Sequence, residues 1–203
     1  RPASTVKVSE EANALLEGWY LGEQGGHAVA DILFGDVNPG GKLPVTVPRS
    51  VGQLPAFYNV KPSAGRGYLF DTNAPLYPFG FGLSYTNFTL SPPRLAQSSI
   101  GPGGTTSVTV DVRNDGAREG DEVVQLYIHD KVSSVTRPIK ELKGFERVSL
   151  KPGEVRTVRF TITPESLQMW NDKMHRVVEP GEFEIMTGNS SVALQSTTLT
   201  VTP

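Results

Sequence analysis

The sequence contains no cysteine, and its 203 residues carry a formal net charge of only −2. The absence of cysteine excludes disulfides, thiolate nucleophiles and cysteine-based metal sites. A net charge this small provides no general attraction to nucleic acid or to an anionic membrane surface, so we expect neither as a partner. No apolar run approaches the ~20 residues that a membrane-spanning helix requires, and we therefore expect no membrane span.

Residues that could hold a cofactor are also scarce. The three histidines (His27, His129 and His175) are far apart, and none has a second ligand at a spacing typical of metal sites. The glycine pairs Gly25-Gly26 and Gly40-Gly41 match neither a phosphate-binding loop nor a dinucleotide fingerprint. We therefore expect no metal and no cofactor.

Glycine and proline, in contrast, are abundant, with 21 and 16 residues. Their combined share exceeds the ~12% of average proteins, which indicates a chain that turns often and argues against a helical bundle. Differences in periodicity and in proline and aromatic content divide the chain into three predicted segments, residues 1–50, 51–95 and 96–203.

Residues 1–50 contain the only helix-like pattern. The apolar run 14–20 is compatible with a buried strand, and residues 27–34 repeat apolar side chains at helical spacing before a glycine stop at Gly35. Strand, glycine turn and helix form one α/β unit. A single α/β unit cannot bury its own sheet, so we expect this segment to pack against polypeptide that the chain does not contain.

Residues 51–95 show little periodicity but many prolines and aromatic residues. A disordered linker rarely carries so many large apolar groups. We interpret the segment as an extended connector whose rings hold it against a neighbouring surface. Its aromatic residues are Phe57, Tyr58, Tyr68, Phe70, Tyr77, Phe79, Phe81, Tyr85 and Phe88.

Residues 96–203 alternate between apolar and polar side chains, as strands do. About seven short strands separated by turn signals are typical of an immunoglobulin-like sandwich, and the lack of a cysteine pair favours the fibronectin type III variety. The fold class predicted is therefore an α/β fragment, the terminal strand–helix part of an α/β sandwich, followed by an all-β sandwich. The clearest strand patterns are 107–113, 122–128, 140–150, 155–162, 182–186 and 196–201.

No carboxylate stands out as a catalytic acid, because such a group needs burial or a neighbouring like charge to raise its pKa. Glu17, beside Trp19 and Tyr20, is the best isolated candidate, with an ion pair at a strand end or interface as the alternative. Glu179 precedes a Pro-Gly turn, and we expect it to be solvated.

Three stretches together resemble glycoside hydrolase family 3. Residues 25–46 are similar to the signature near the end of the family's second catalytic domain, and residues 76–86 to its connector. Residues 137–145, together with 178–183, resemble its fibronectin III-like domain. The resemblance covers nearly the whole chain.

The resemblance implies a three-part enzyme with a TIM-like barrel, an α/β sandwich and a fibronectin III-like domain. Such enzymes release single β-linked sugars from non-reducing ends, mostly as β-glucosidases or β-xylosidases, through a covalent intermediate and two carboxyls about 5–5.5 Å apart. The family's nucleophilic aspartate and acid/base glutamate lie in motifs absent from this sequence. We therefore expect no catalytic residue here, an inactive chain on its own, and the upstream catalytic part as its partner.

The resemblance also implies a β-linked oligosaccharide or aryl glycoside as substrate, a secreted or periplasmic location and a possible homodimer. Within the chain, Arg66 and Tyr68 are the candidates for substrate binding. Arg66 offers a planar fork of donors and Tyr68 a ring that can stack on a sugar, while the alternative is that both residues hold the connector in place. The loop 132–138 is a second, exposed candidate.

The sequence is also compatible with a binding protein instead of an enzyme. The last segment could act as a stand-alone β-sandwich that binds polysaccharide or a partner protein, with residues 1–95 as an appendage. A long reading frame upstream of residue 1 would favour the enzyme, whereas a start codon close to it would favour the binding module.

Overall fold

The computed structural model describes residues 5–62 and 72–203. Its N-terminal part contains α1 (Val6–Glu11), α2 (Gly25–Phe34) and a 3-10 turn (Val51–Gln53). Helix α2 confirms the predicted helix, and it ends at Gly35 with a φ of 82°, a left-handed conformation that glycine adopts without steric cost.

The apolar run 14–20 does not form the strand that its sequence suggested, so that prediction was wrong. A strand requires a neighbour to accept and donate its backbone hydrogen bonds, and no described segment pairs with this run. Helix α1, just before the run, was not predicted, and it has no buried residue.

Residues 88–203 form a β-sandwich, as predicted for residues 96–203. Strand β4 pairs with β1, β2 and β7 in one sheet, and the second sheet has the order β3-β11-β10-β5-β6. A small β8-β9 hairpin follows α3. The elements are β1 (Phe88–Leu90), β2 (Arg94–Leu95), β3 (Ser99–Ile100), β4 (Thr106–Asn114), β5 (Gly120–Asp130), β6 (Glu141–Leu150), β7 (Val155–Ile162), α3 (Pro164–Leu167), β8 (Met169–Trp170), β9 (Arg176–Val177), β10 (Gly181–Gly188) and β11 (Leu194–Val201).

The hydrophobic core lies between the two sheets. Alternate residues of β4, Val108, Val110 and Val112, are fully buried against side chains such as Phe183 and Ile185 from the opposite sheet. Burying each of these side chains contributes roughly 1.5–3 kcal/mol, which makes this core the main source of stability. The two-residue period of apolar side chains therefore predicted the sandwich correctly.

Strands β1 and β2 lie within residues 88–95, which the sequence analysis assigned to the connector. Both pair with β4 and thus belong to the sandwich sheet. They are too short, and too interrupted by the prolines between them, to show a period in the sequence. In the described residues, no helix is long and apolar enough to cross a membrane.

Candidate functional site

Aromatic rings hold the connector against the sandwich, as the sequence predicted. Tyr58 stacks on Phe79 with ring centroids 4.3 Å apart and meets the buried Tyr127 edge-on at 5.8 Å. The hydroxyl of Tyr58 also accepts a hydrogen bond of 3.2 Å from the backbone N–H of Leu142 in β6. The connector therefore packs on strands β5 and β6.

A buried polar chain continues this contact. The Tyr127 hydroxyl donates to Gln125 Oε1 at 2.6 Å, and Gln125 Nε2 donates to the carbonyls of Gly80 and Asn189 at 3.1 and 2.9 Å. Burial raises the pKa of Tyr127, with a smaller contribution from Tyr58, so this phenol remains a donor at neutral pH. These hydrogen bonds join the connector to strand β5 and to the turn that follows β10.

An ion pair between Lys42 and Glu122 lies at the same interface. Lys42 Nζ is 2.8 Å from Glu122 Oε1 and donates to the Gly82 carbonyl at 3.0 Å, and the two side chains are only 12% and 4% exposed. Asn189 Nδ2 is within 3.4 Å of the second oxygen of Glu122. Both charges therefore have partners, as buried charges require.

Asn38 brings the first two family-like motifs together. Its Oδ1 accepts hydrogen bonds from Ser84 Oγ and from the N–H of Tyr85, and its Nδ2 donates to the Glu119 carbonyl. The Tyr85 hydroxyl in turn donates to the carbonyl of Ile32 in α2 at 2.8 Å. These contacts fix α2 relative to the sandwich.

Of the two loops proposed for substrate contact, the structure describes only one. Arg66 and Tyr68 lie outside the described residues. The loop 132–138 is described, and the N–H of Ile139 just after it donates to the Val60 carbonyl at 2.9 Å. The structure thus places loop 132–138 beside the connector residues that lead into 61–68.

Loop 132–138 is anchored at Arg137, which corrects the expectation of a wholly exposed loop. Val132 is 80% exposed, but Arg137 is buried. Its guanidinium donates to Asp130 Oδ2 at 3.0 Å, to the Leu167 carbonyl at 2.9 Å and to Glu141 Oε2 at 2.9 Å. Burial raises the pKa of Asp130, and the neighbouring Arg137 opposes that shift.

Glu179 holds the middle of the same loop instead of being simply solvated. Its carboxylate accepts hydrogen bonds from the Ser134 hydroxyl at 2.6 Å and from the Ser134 N–H at 2.9 Å. The hydroxyl bond, followed by the backbone bond, lowers the pKa of Glu179. The partners are 45 residues apart in sequence, so no local signal could have revealed the contact.

Glu17 does not have the surroundings of a general acid. It is exposed and accepts one hydrogen bond, from the Trp19 N–H at 2.9 Å. Within residues 5–62 and 72–203, no group of three or more His, Cys, Asp or Glu side chains could hold a metal ion. The described arrangement anchors loops and joins segments.

The N-terminal part leaves a large apolar surface uncovered. Among residues 5–35 only Gly25 is buried, although the segment contains many large apolar side chains. Tyr20 is 95% exposed, and Leu33 and Phe34 of α2 are 68% and 84% exposed. So many exposed apolar side chains in one segment favour a contact with other polypeptide.

These features define a class of chain in which a helix-bearing N-terminal segment and an aromatic connector are fixed on a fibronectin type III-like sandwich. Two family models match parts of the chain. The glycosyl hydrolase family 3 C-terminal domain matches residues 1–85, and the fibronectin type III-like domain matches residues 122–191. The chain belongs to glycosyl hydrolase family 3.

Individual relatives agree with this assignment. The chain is 46% identical to a periplasmic beta-glucosidase of Salmonella typhimurium over 96% of its own length and 27% of the relative's. It is 49% identical to a beta-xylosidase of Formosa agariphila, covering 99% of this chain and 29% of that one. The chain therefore spans less than a third of the length of the curated relatives it matches.

Solved structures show the same relationship. The b-glucosidase EmGH1 of Erythrobacter marinus superposes with a TM-score of 0.97 at 51% identity, over 99% of this chain and 27% of that chain. A beta-glucosidase of Listeria innocua in complex with glucose superposes with a TM-score of 0.95 at 36% identity, over 100% of this chain and 30% of that one.

Proposed function

We propose that this chain is part of a retaining β-glycosidase that removes single β-linked sugars from non-reducing ends. The observation that carries the proposal is the similarity over nearly the entire chain to beta-glucosidases and beta-xylosidases. A β-glucoside is the first candidate substrate and a β-xyloside the second. The substrate would be a β-linked oligosaccharide or an aryl glycoside.

The catalytic pair of this enzyme lies on an upstream part of the same protein. A retaining mechanism needs a carboxylate nucleophile and an acid/base carboxyl about 5–5.5 Å apart. In this proposal an aspartate of the barrel and a glutamate of the α/β sandwich supply them. The uncovered face around Tyr20, Leu33 and Phe34 supports an upstream partner, because a segment with so much exposed apolar surface is poorly suited to stand alone.

The packing of the connector rings weighs against a stand-alone binding module. In such a module the connector aromatics would be free to stack on sugar, yet Tyr58 and Phe79 stack on each other.

We also propose a secreted or periplasmic location, supported by the name of the Salmonella relative. A homodimer would be compatible with the uncovered surface, and sedimentation of the longer protein would test it.

Two assays test the activity. The protein carrying this chain together with its upstream part is expected to hydrolyse p-nitrophenyl β-D-glucoside, and proton NMR is expected to show the β anomer as the first product. Purified residues 1–203 are expected to release no p-nitrophenol. Release by residues 1–203 alone would show that the catalytic pair is not upstream, and inactivity of the longer protein on every β-glycoside would refute the activity.

We also propose that the chain divides into three segments, residues 1–50, 51–95 and 96–203.

Arg66 and Tyr68 remain proposed substrate contacts. Support comes from the residue types, because Arg66 offers a planar fork of donors and Tyr68 a ring that can stack on a sugar. Arg66→Ala in the longer protein is expected to raise KM about tenfold, the loss of one charged hydrogen bond, without changing the melting temperature. Lys61→Ala, at an exposed neighbouring position, is the control. If Arg66→Ala instead lowers the melting temperature and leaves KM unchanged, Arg66 holds the connector in place.

A further inference from the structure

A groove of about 340 Å³ is lined by residues 44–46 and 54–59 together with Phe79. Two of its lining residues, Tyr58 and Phe79, are the stacked rings that hold the connector on strands β5 and β6. Two others, Leu54 and Phe57, are 53% and 65% exposed. The groove therefore combines fixed rings with large apolar side chains that are open to solvent.

The chain around the groove forms a layer along strand β5. Near the start of β5, a Cβ on Gly40 would lie only 2.8 Å from Asp121 Cβ, so the backbone is in close contact with the strand there. Near its other end, the N–H of Ile139 donates to the Val60 carbonyl at 2.9 Å, just before β6 pairs with that end of β5. Because the sheet lies on one side of this layer, the exposed side chains of the groove point away from the sandwich.

The chemistry of the lining favours an apolar occupant. None of the described lining residues is charged, and only Thr46 and Asn59 have polar side chains apart from the Tyr58 hydroxyl. A volume of this size holds about ten water molecules at ~30 Å³ each. Water beside apolar walls is released favourably when another apolar surface covers those walls.

Two observations favour the upstream part of the same protein as the source of that surface. The chain spans 27% and 29% of the length of the two relatives, so more than two-thirds of such a protein lies outside it. The groove also continues the layer that begins with α2, whose Leu33 and Phe34 are exposed, because residues 35–43 join α2 directly to the first lining segment. A part that covers α2 is therefore well placed to extend along the layer to the groove.

We propose that the groove lined by Leu54 and Phe57 receives apolar side chains from the upstream part of the same protein. This inference rests on the proposed function, which requires an upstream catalytic part, and it adds a second contact to the one at α2. The connector is then packed on both sides, by the sandwich through Tyr58 and by the catalytic part through Phe57. This arrangement gives a role to the aromatic residues of a segment that has little regular secondary structure.

Photochemical cross-linking in the longer protein tests the contact. The variant Phe57→p-benzoyl-L-phenylalanine keeps the phenyl ring and adds a group that, on irradiation, bonds to C–H groups in contact with it. Proteolysis and mass spectrometry are expected to find position 57 joined to a peptide from upstream of residue 1. Val155→p-benzoyl-L-phenylalanine is the matched control, because Val155 is 55% exposed and lies on β7 of the other sheet. It is expected to form no upstream cross-link.

Thermal unfolding of the longer protein gives a second measurement. Phe57→Ala is expected to lower the melting temperature by several degrees, because it empties a site where the ring is buried by the upstream part. Val155→Ala, at a position that stays exposed, is expected to lower it by about 2 °C at most. Equal shifts for the two variants would contradict the proposal.

Three cross-linking outcomes would also overturn it. They are cross-links from position 57 confined to residues 1–203, a dimer-sized band on a denaturing gel, which would assign the groove to a second copy, and equal upstream cross-linking from position 155. Hydrolysis of p-nitrophenyl β-D-glucoside by the wild type is measured in parallel. An active wild type without the cross-link refutes the groove contact alone, whereas inactivity on every β-glycoside refutes the proposed activity.

Discussion

At the scale of single residues, the Lys42–Glu122 pair illustrates how the segments are joined. Both side chains are almost fully buried, and each has polar partners besides the other. Burying two charges costs several kcal/mol, and their attraction only offsets that cost when the geometry is good. The pair therefore fixes the position of the connector more than it adds to stability, and removing one partner should be far more harmful than removing both.

Lys42→Met is expected to lower the free energy of unfolding by about 3–5 kcal/mol, because it leaves Glu122 buried without a counter-charge. The double variant Lys42→Met/Glu122→Gln should regain part of this loss. Chemical denaturation of the three proteins measures the difference. Arg113→Met, which breaks an exposed pair with Asp115, is the control and should cost about 0–1 kcal/mol. A double variant less stable than Lys42→Met would contradict this account.

A second prediction concerns Gly80, which has a φ of 79°. A Cβ at this position would clash with Gln125 Oε1 and would lie 2.7 Å from its Nε2. Gly80→Ala should therefore cost roughly 3 kcal/mol, combining left-handed strain of about 1–2 kcal/mol with overpacking of about 1–3 kcal/mol.

Gly153 provides the control for that substitution. It has a similar φ of 76°, yet a Cβ there would meet nothing within 4 Å. Gly153→Ala should show the backbone strain alone, about 1–2 kcal/mol. Equal losses for the two variants, measured by the same denaturation experiment, would show that Gln125 does not restrict position 80.

At the scale of elements, the alternation of apolar and polar residues predicted the long strands and missed the short ones. The six long alternating patterns correspond to β4, β5, β6, β7, β10 and β11, because a strand with one buried face imposes a two-residue period. The strands of two or three residues show no such period. The run 14–20 is apolar enough for a strand, but strand formation also depends on a pairing neighbour, which no local pattern can supply.

Loop 132–138 shows the same limit for a site. The sequence identified the loop, but it could not reveal that Asp130, just before the loop, and Glu179, 45 residues from Ser134, would anchor it. Arg137 is locally an ordinary basic residue. Its burial and its three acceptors are products of tertiary structure.

The contact between Ser134 and Glu179 makes this loop sensitive to acid. The pKa of Glu179 is lowered in the folded state from its ordinary value of 4.5, so its stabilising effect is present above pH 4.5 and is lost as the pH falls through the folded pKa. The protection factor of the Ser134 amide against hydrogen exchange should be constant above pH 4.5 and should fall as the pH is lowered below that value. In Glu179→Gln it should be low throughout and independent of pH. A wild-type protection factor that does not change with pH would contradict the assignment.

At the scale of the whole molecule, the two parts of the chain differ sharply in how they are buried. The sandwich has a continuous core between its sheets, whereas the N-terminal part buries almost nothing. This contrast was expected from the sequence, because a single α/β unit cannot bury its own sheet. The central claim is that the exposed side chains of Tyr20, Leu33 and Phe34 pack against an upstream part of the same protein.

Hydroxyl-radical footprinting with mass spectrometry tests this claim most directly. Trp19, Tyr20 and Phe34 are compared between purified residues 1–203 and the longer protein, and the buried Tyr127 serves as the internal reference. The account predicts strong labelling of the first three residues in residues 1–203 and several-fold protection in the longer protein, with Tyr127 protected in both. Equal labelling of Trp19, Tyr20 and Phe34 in the two proteins would contradict it.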